Sequence, residues 1–375
     1  MKYYIIAGEA SGDLHGSRLI HAIKKNDPNA QFRAWGGDLM QAEGAVLVKH
    51  YRELAFMGFI EVLKNILTVL SNLSFCKSDI KSFQPDAVIF IDYPGFNLPI
   101  AKFAKAQGYK TVYYISPQVW AWKEKRVNLI KKAIDLMLVI LPFEKSFYEK
   151  WNYKVEYVGH PLIEIIENFK NDPAHISFSN HFKSNQSKKI VAILPGSRKQ
   201  EIEKKLPIML DATKKFHDIE FIIAQAPGID DSYINDYIKG FENISIWKDR
   251  TYQLLSIADA AMATSGTATL ETALFGVPEI VCYKTSSVSY ALGKYFIKVP
   301  YISLVNLIMN KAIVKELIQD ELDSVSITRE LGKILNDNHV NIQMKKSFEE
   351  LRNILLPGGN ASVNAAKLIQ QLLNN

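Results

Sequence analysis

The sequence predicts an α/β protein built from two Rossmann-like domains that face each other across a cleft. Buried-strand patterns alternate with helical patterns from residue 3 onward, and the same alternation starts again at residue 190. Repeated alternation is typical of parallel sheets covered by helices. The chain has 375 residues, more than one hydrophobic core usually holds. We therefore expect domains at 1–165 and 188–356, and a C-terminal helix at 357–375 as a candidate to pack back on the first domain.

Composition limits the class of protein and its partners. Apolar residues make up 48% of the chain and charged residues 22%, as in ordinary globular proteins. Lysine and arginine exceed aspartate and glutamate by only 45 to 39. This balance suits anionic small substrates or an acidic membrane surface, and we expect no nucleic-acid partner. Two cysteines, Cys76 and Cys282, are too few for a disulfide framework or a cysteine metal cluster. With no signal-peptide pattern and no bilayer-spanning apolar run, the sequence predicts a cytoplasmic location.

Eleven short apolar runs predict the strands of the two sheets. The longest helical stretch of the first half covers residues 59–83, and the polar stretch at 164–189 predicts a linker. The second half ends with an extended segment at 301–305 and a last helix after the break at 357–360. The strands are predicted at 3–7, 32–35, 86–91, 111–115, 136–141, 155–158, 190–194, 220–224, 244–247, 259–263 and 279–283.

Polar side chains follow the first and third of these strands. Glu9 and His15 lie in the turn after residues 3–7, whose glycines do not match the G-x-G-x-x-G pattern of a dinucleotide site. Asp92 follows a buried strand directly and precedes a Pro-Gly pair, a position that holds a carboxylate rigidly at the ligand edge of a sheet. Asp92 is therefore a candidate general base, with capping of the next helix as the alternative. For His15 the alternative is a helix-end histidine with a satisfied hydrogen bond.

Three further residues complete the candidates of the first domain. Ser11 lies in the turn after the first strand, and Gln118 and Trp120 follow the fourth strand. Trp120 and its neighbour Trp122 either line a pocket or belong to the core. Together with His15, these residues are assigned to an acceptor or cleft region.

Two glycine turns in the second half predict an anion site. Gly196-Ser197-Arg198 follows a buried strand, and an arginine just past such a turn is well placed to bind phosphate. Ser265-Gly266-Thr267 joins another buried strand to a helix N-terminus, where free N–H groups and the helix dipole attract anions. Glu271 lies about one turn inside that helix, where a carboxylate can accept bonds from two ribose hydroxyls. The pattern favours a nucleoside diphosphate, although strand–glycine–helix turns occur in any doubly wound protein.

The order of these parts is that of a type-B glycosyltransferase, with a donor nucleotide on the second domain and an acceptor and base on the first. No paired Asp-x-Asp follows a strand to hold a divalent cation. We therefore expect no metal and no cofactor, and we expect helix N-termini, amides and Arg198 to stabilise the charge of the leaving group.

Six motifs make the chain resemble the lipid-A-disaccharide synthase family. The motifs occur in order along the chain: GEASGD at 8–13, MGFIEV at 57–62, SPQVWAW at 116–122, LPFEK at 141–145, LPGSR at 194–198 and SGTA at 265–268. The resemblance implies an inverting, metal-independent glycosyltransferase of the lipid A pathway in Gram-negative bacteria, peripheral on the inner membrane. Its donor would be a UDP-diacylglucosamine and its acceptor a diacylglucosamine 1-phosphate, with UDP released.

The resemblance also implies which residues are needed for activity: Asp92, Glu9, Arg198 and Asn306. Some members carry a second aspartate where this chain has Gly95, which leaves Asp92 as the one carboxylate of that segment. Two other classes of function fit the same layout. A UDP-sugar 2-epimerase-like enzyme would use the cleft without an acceptor, and a non-catalytic module would bind nucleotide without turnover.

The helical stretch that follows residue 57 is a candidate membrane contact. Its uncharged run at 65–76 is too short to span a bilayer and fits either a core helix or an interfacial one. The apolar arc is wider than one core-facing stripe requires, and the implied substrates are acylated. We therefore predict that part of this helix dips into the membrane surface, with packing on the sheet as the alternative. Whether the protein forms a homodimer is left open. The predicted membrane residues are Ile66, Leu67, Val69, Leu70 and Leu73.

Overall fold

The computed structural model describes residues 1–54, 66–287, 290, 291, 295 and 299–374, without the side chain of Asn185. The chain divides into two compact units, each built on one parallel β-sheet. The first unit consists of Met1–Pro161 and Leu355–Asn375, and the second consists of Leu162–Ile354.

The first unit contains seven described strands: β1 (Lys2–Ala7), β2 (Gln31–Gly36), β3 (Val46–His50), β4 (Ala87–Ile91), β5 (Lys110–Tyr114), β6 (Leu136–Val139) and β7 (Glu156–Tyr157). They form one sheet in the order β3-β2-β1-β4-β5-β6-β7, and all neighbours are parallel. The order reverses between β1 and β4. In open α/β sheets, ligands bind beyond the carboxyl ends of the strands at such a reversal.

Helices on both faces of this sheet explain why its central strands, such as β4, are apolar and buried along their length. The described helices before the second unit are α1 (Ala10–Asn26), α2 (Asp38–Ala42), α3 (Ile66–Phe83), α4 (Pro94–Ala106), α5 (Val127–Ala133) and α6 (Pro142–Glu149). Successive strand residues point to opposite faces, so Tyr4 and Ile6 join one core cluster while Tyr3 and Ile5 join the other.

The second unit contains six described strands: β8 (Lys189–Leu194), β9 (Ile219–Gln225), β10 (Ile244–Lys248), β11 (Ala260–Thr264), β12 (Glu279–Tyr283) and β13 (Lys315–Ile318). Their order is β10-β9-β8-β11-β12-β13, again parallel throughout, with the reversal between β8 and β11. Its described helices are α7 (Pro161–Lys170), α8 (Pro173–Asn185), α9 (Lys199–Thr213), α10 (Asp231–Ile238), α11 (Thr251–Ile257), α12 (Thr267–Phe275), α13 (Leu304–Met309), α14 (Ser324–Asn336) and α15 (Asn338–Leu355).

The last helix, α16 (Ala361–Asn374), belongs to the first unit. Its buried residues Ala365 and Ile369 lie in the same core cluster as Leu19 of α1. The Asn26 amide at the end of α1 donates a hydrogen bond to Gln370 at 3.1 Å. The chain therefore returns to its first unit after completing the second.

The polar stretch at 164–189 is not a linker but consists largely of two helices that belong to the second unit. In α7 the apolar side chains, among them Ile165 and Ile166, are buried. The Asp172 side chain accepts the N–H of Ala174 at 2.8 Å and so caps the start of α8. The linker prediction was wrong because it relied on the polar composition of the stretch. The apolar residues of α7 are spaced so that they pack against the second unit, and this amphipathic pattern was overlooked.

Two other differences concern elements near the sheet edges. Strands β3 and β13 were not predicted; both are edge strands, and their residues are mostly half-exposed or exposed. The segment expected to be extended at 301–305 gives way to α13, which begins where the Ser303 hydroxyl accepts the N–H of Asn306 at 3.3 Å. Of the helix predicted at 59–83, residues 59–65 and the MGFIEV motif lie outside the described residues, and Ile66–Phe83 is helical.

Candidate active site

Asp92 follows β4 in a backbone conformation that non-glycine residues rarely adopt. Its φ angle is +43°, and that of Tyr93 is +50°. Two buried side chains hold the Asp92 carbonyl: the Tyr113 hydroxyl donates to it at 2.5 Å and the Asn97 amide at 2.7 Å. Strain on the order of 1–3 kcal/mol per residue is therefore offset by packed surroundings, as at many functional sites. The residue at the N-cap position of α4 is Tyr93, and no side chain caps this helix, so the capping role of Asp92 is excluded.

The carboxyl of Asp92 is accessible to solvent but densely surrounded by protein. Its pKa is raised to about 6, first by loss of hydration and second by the negative charge of Glu9, while the backbone N–H of Tyr93 lowers it. Ala7 of β1 lies beside Ile91 of β4, so the turns that carry Glu9 and Asp92 are adjacent. A carboxyl of this pKa is ionised at neutral pH yet basic enough to accept a proton.

The turn after β1 packs against the Asp92 turn. Ser11 and His15, which were expected in this turn, belong instead to the first turns of α1. A Cβ on Gly8 would lie 2.4 Å from the ring of Tyr93, so only glycine fits there. Ser11 is exposed, and His15 is half-buried with no hydrogen-bond partner for its Nδ1 among the described residues. Burial first, and the charge of Arg18 second, lower the pKa of His15 to about 4. The imidazole is therefore neutral at pH 7, and among the described residues a helix-end hydrogen bond of His15 does not involve Nδ1.

The turn after β5 separates the two candidates predicted there. Trp120 is 7% exposed and packs edge-on against Phe143, with ring centroids 4.9 Å apart. Of its two alternatives, the structure places it in the core. Gln118 and Trp122 are exposed, so this turn presents the polar side chain of Gln118.

A buried carboxyl that sequence reasoning did not single out supports this turn. Glu144 is 1% exposed and accepts two backbone N–H bonds, the shorter from Leu141 at 2.9 Å. The Ser116 hydroxyl, at the start of the turn, is 2.7 Å from that of Tyr148. Burial raises the pKa of Glu144 to about 7, and hydrogen bonds led by the Leu141 amide oppose that rise. The LPFEK motif carried the signal, because a glutamate three residues after the N-cap position, here Leu141, is placed to reach back to backbone amides.

In the second unit, the two predicted anion turns lie side by side. Leu194, the last residue of β8, pairs with Ala263 of β11, so both turns leave the same edge of the sheet at neighbouring strands. Gly196 has a φ angle of +115° and Gly266 of +147°, both of which glycine adopts readily and other residues rarely. A Cβ on Gly196 would meet the Glu201 carboxylate at 2.4 Å. Glycine is therefore favoured in both turns by the backbone, and a larger residue in the first turn would also displace the Glu201 carboxylate.

These turns expose most of the residues predicted to bind the nucleotide. Ser197, Arg198, Gly266 and Thr267 are all exposed. α9 begins directly after Arg198, and α12 begins at Thr267, so backbone N–H groups of two helix N-termini face the edge. In the first turn, the guanidinium of Arg198 lies 3.5 Å from the Glu201 carboxylate. In the second turn, the Ser265 hydroxyl donates to the Ile302 carbonyl at 2.9 Å and so stabilises that turn.

Glu271 lies one turn inside α12 and is half-buried. Its Oε1 accepts a hydrogen bond from the Tyr252 hydroxyl at 2.8 Å. Burial raises the pKa of Glu271, and this hydrogen bond opposes the rise. The carboxylate therefore has a fixed neighbour on one oxygen.

Asn306 is 1% exposed, and the chain itself satisfies its side-chain amide. Its Oδ1 accepts the N–H groups of Ile313 at 2.7 Å and Val314 at 3.0 Å, and its Nδ2 donates to Glu316 at 2.9 Å. Glu316 also accepts the N–H of Ser303 at 2.9 Å. Asn306 therefore stabilises the chain around the start of α13. Ile302, just before this helix, accepts the hydrogen bond from Ser265, so a need for Asn306 in activity is compatible with an indirect role in shaping the Ser265 turn.

The first turns of α3 expose several of the residues predicted to meet the membrane. Leu67 is 79% exposed and Leu70 is 55% exposed, and Ile66 is also exposed. Val69 and Leu73 are half-buried, and Leu73 packs against the core. Among the described residues, no helix combines the length and apolar character needed to cross a bilayer.

The candidate residues thus form two groups, one on each unit. In the first unit, Glu9 and Asp92 lie close together. In the second unit, the two glycine turns and Arg198 lie at one edge of the sheet, and Glu271 follows one helical turn further along α12. Within the parts of the chain that the structure describes, no three His, Cys, Asp or Glu side chains are grouped to hold a metal ion.

Solved structures support the fold class. A UDP-GlcNAc 2-epimerase from Neisseria meningitidis bound to UDP-GlcNAc superposes with a TM-score of 0.67 at 16% identity, over all of both chains. A calicheamicin glycosyltransferase superposes with a TM-score of 0.59 at 15% identity, covering all of this chain and 98% of that one. At these identities the similarity shows the fold alone, which is that of type-B glycosyltransferases.

Sequence relationships are much closer and agree with one another. The model of the lipid-A-disaccharide synthetase family matches residues 3–370. The lipid-A-disaccharide synthase of Syntrophus aciditrophicus is 39% identical over 98% of this chain and 97% of that protein. The enzyme of the same name from Trichlorobacter lovleyi is 36% identical over the same shares of the two chains. With near-complete coverage on both sides and a two-unit fold that fits, the chain belongs to the lipid-A-disaccharide synthase family of glycosyltransferases.

Proposed function

We propose that the chain joins a UDP-diacylglucosamine donor to a diacylglucosamine 1-phosphate acceptor through a β-1,6 bond and releases UDP, with Asp92 as the general base. The observation that carries this proposal is the Asp92 turn. A strained, hydrogen-bonded backbone presents a solvent-accessible carboxyl whose pKa is about 6. Family membership supplies the substrates, and the turn supplies the group that the reaction requires.

In the proposed reaction, Asp92 takes the proton of the acceptor 6-hydroxyl as that oxygen attacks the anomeric carbon of the donor. The bond between this carbon and the β-phosphate oxygen breaks, and its electron pair leaves with UDP. Attack opposite the leaving group inverts the anomeric centre. Glu9 raises the basicity of Asp92 by its charge, whereas neutral His15 is a weak base with a pKa of about 4.

The donor nucleotide is assigned to the two glycine turns of the second unit. Arg198 and the amides of the Ser265-Gly266-Thr267 turn would bind the diphosphate and stabilise the charge that develops on UDP. Ser197 and Gly196 complete the first turn, and Glu271 would accept the ribose hydroxyls. Adjacency of the turns on β8 and β11 supports this assignment.

The acceptor is assigned to the first unit, where Ser11, His15 and Gln118 are the available polar groups. Trp120 would act on this region from the core, by supporting the turn that carries Gln118. The acyl chains of both substrates require access to lipid. We therefore place the chain on the cytoplasmic face of the inner membrane, with the exposed residues of α3 as the contact.

The test of the reaction uses the full chain and both lipid monosaccharides. Mass spectrometry should detect the disaccharide 1-phosphate, and UDP release should require the acceptor. EDTA should leave the rate unchanged. UDP-sugar conversion without acceptor would instead identify an epimerase-like enzyme, and UDP binding without turnover would identify a binding module.

The membrane assignment has a matched test. Leu67→Ser with Leu70→Ser should reduce sedimentation with vesicles that contain anionic lipid, with UDP affinity kept. Val325 and Ile342, which are 73% and 65% exposed in the second unit, provide the control pair of serine substitutions. Equal loss of vesicle binding in both pairs, or in neither, would contradict the assignment to α3. Leu73 is left unchanged because it packs against the core.

A further inference from the structure

We infer that Tyr252 is a positioning residue of the nucleotide site, which orients the carboxylate of Glu271 for the two ribose hydroxyls. The inference rests on the proposed donor site and adds a residue to it. Tyr252 belongs to α11 and Glu271 to α12, so the contact joins two helices of the second unit.

The geometry of the contact leaves the carboxylate free to bind a diol. The Tyr252 hydroxyl donates to Oε1 of Glu271 at 2.8 Å. Each carboxylate oxygen has two acceptor positions, so one bond at Oε1 leaves a position there and both positions at Oε2. Two adjacent hydroxyls need both oxygens in one orientation. A single fixed bond at Oε1 selects that orientation before the ligand arrives, which lowers the entropy cost of binding.

Aromatic side chains from two other helices and from α12 itself restrict the tyrosine in turn. Phe169 of α7 meets the Tyr252 ring edge-on with centroids 5.4 Å apart, and Phe275 of α12 lies 5.3 Å away. Phe169 is itself stacked on His175 of α8 at 3.8 Å. Because the ring is packed in this way, the position of its hydroxyl is determined by the fold rather than by the ligand.

Electrostatics give the same hydrogen bond a second effect. Burial raises the pKa of Glu271, and the bond from Tyr252 is the cause that opposes it. On the neighbouring helix α7, the cation Lys170 donates to the Leu274 carbonyl at 2.7 Å and lies 5.2 Å from the ring of Phe275. Ribose hydroxyls donate more strongly to a carboxylate than to a carboxylic acid. Tyr252 therefore favours the form of Glu271 that binds ribose.

The test compares UDP with 2′-deoxy-UDP, which lacks one of the two hydroxyls. Titration calorimetry on the full chain should give about tenfold tighter binding of UDP, the size of one hydrogen bond to a charged group. Tyr252→Phe keeps the ring and removes the hydroxyl. We expect it to weaken UDP binding by about threefold to tenfold while 2′-deoxy-UDP binding stays near that of the wild type, so the ratio of affinities approaches one.

Two further variants separate the inference from the proposal on which it rests. Tyr233→Phe removes a hydroxyl that lies 2.9 Å from the Glu203 carboxylate and 3.3 Å from the Lys199 carbonyl, at the start of α9. Any effect there would act on both nucleotides alike, so this variant should keep the wild-type ratio. Glu271→Gln should abolish the preference for UDP. If Glu271→Gln abolishes it and Tyr252→Phe does not, Tyr252 has no positioning role. If Glu271→Gln retains it, the ribose assignment fails and the inference fails with it. Equal weakening of both nucleotides by Tyr252→Phe, with a lower melting temperature, would reduce the contact to a structural one.

Discussion

The turns that leave β4 and β5 in the first unit differ in one respect from the turns that leave β8 and β11 in the second. In the first unit, Asp92, Tyr93 and Ile115 have positive φ angles of 43°, 50° and 65°. In the second, the positive φ angles of these turns fall on Gly196 and Gly266. The first unit thus keeps residues with side chains in a strained backbone conformation. The second unit uses glycines, which adopt positive φ angles without strain and leave the backbone amides accessible.

This difference matches the two tasks of the proposed reaction. Proton transfer needs a side chain at a fixed place. The first unit therefore keeps a carboxylate at Asp92 and fixes its backbone, because Tyr113 and Asn97 donate hydrogen bonds to the Asp92 carbonyl. Binding of a diphosphate needs N–H groups and close approach, which glycine provides and a Cβ would obstruct. Substitutions at each kind of turn should therefore have separable effects, on turnover in the first unit and on UDP affinity in the second.

The largest effect is expected at Asp92. Asp92→Asn keeps the shape of the side chain and removes its basicity, so turnover should fall by roughly 10²–10⁴-fold, the usual contribution of a general base. UDP affinity, measured by calorimetry, should stay within about twofold of wild type. A variant that retains most of its turnover would assign the base to Glu9 or His15 instead, and a parallel loss of UDP affinity would contradict the division of tasks between units.

The complementary change in the second unit is Gly266→Ala. A Cβ there has no neighbour within 4 Å, so the effect comes from the φ angle of +147° alone. Strain on the order of 1–3 kcal/mol should shift the turn out of its binding conformation and weaken UDP binding by up to about 100-fold. Turnover at saturating donor should change less than affinity does.

A glycine in a helix of the same unit provides the control. Gly332 lies inside α14 and its Cβ position is also free of neighbours within 4 Å. Gly332→Ala should stabilise the fold by about 0.5–1 kcal/mol and leave UDP binding unchanged. Equal UDP affinity in the two variants would show that the Gly266 turn does not bind the nucleotide.

The same contrast explains how far the sequence predicted the molecule. β1 was found from its apolar run because helices bury both faces of it. β3 and β13 were missed because charged or polar residues, Lys49 and His50 in β3 and Lys315 and Glu316 in β13, leave no such run. Asp92 and Gly266 were found because strand ends with carboxylates or glycines are visible in sequence. The hydrogen bonds from Tyr113 and Tyr252 were not predicted, since each crosses about 20 residues and depends on packing between elements.

A smaller effect is expected from one of those unpredicted contacts. Tyr113→Phe removes the hydroxyl that donates to the Asp92 carbonyl, a loss of about 1 kcal/mol. The strained turn should then occupy its active conformation less often, and kcat should fall by about threefold to tenfold with UDP affinity unchanged. Tyr153→Phe is the control, because its hydroxyl donates to the Ile134 carbonyl at 3.2 Å in the same unit. If both variants lose stability and neither loses kcat, the hydroxyl of Tyr113 does not position Asp92.

The smallest expected effect, and the one that discriminates between the candidate bases, is the pH dependence of kcat/KM. A general base must be deprotonated, which means a charged carboxylate for aspartate and a neutral imidazole for histidine. Activity is therefore lost as the pH falls through the pKa of the base. With Asp92 as base the acidic limb should lie near pH 6, and with His15 as base it should lie near pH 4. Because phosphate groups of the substrates also titrate near pH 6, the position of the limb alone does not settle the assignment.

The variant Glu9→Gln separates the enzyme's base from the substrates. It removes the negative charge that contributes to the raised pKa of Asp92, so that pKa should fall and the acidic limb should move to lower pH. Burial, the larger cause, remains, so the shift should be smaller than the whole rise above the ordinary value. Substrate phosphates titrate identically with every variant and cancel in the comparison with wild type. Glu149→Gln, which changes the same charge at an exposed position of α6, should leave the limb in place. A limb near pH 6 that does not respond to Glu9→Gln would belong to the substrates, and Asp92 would then not be the base whose titration governs the rate.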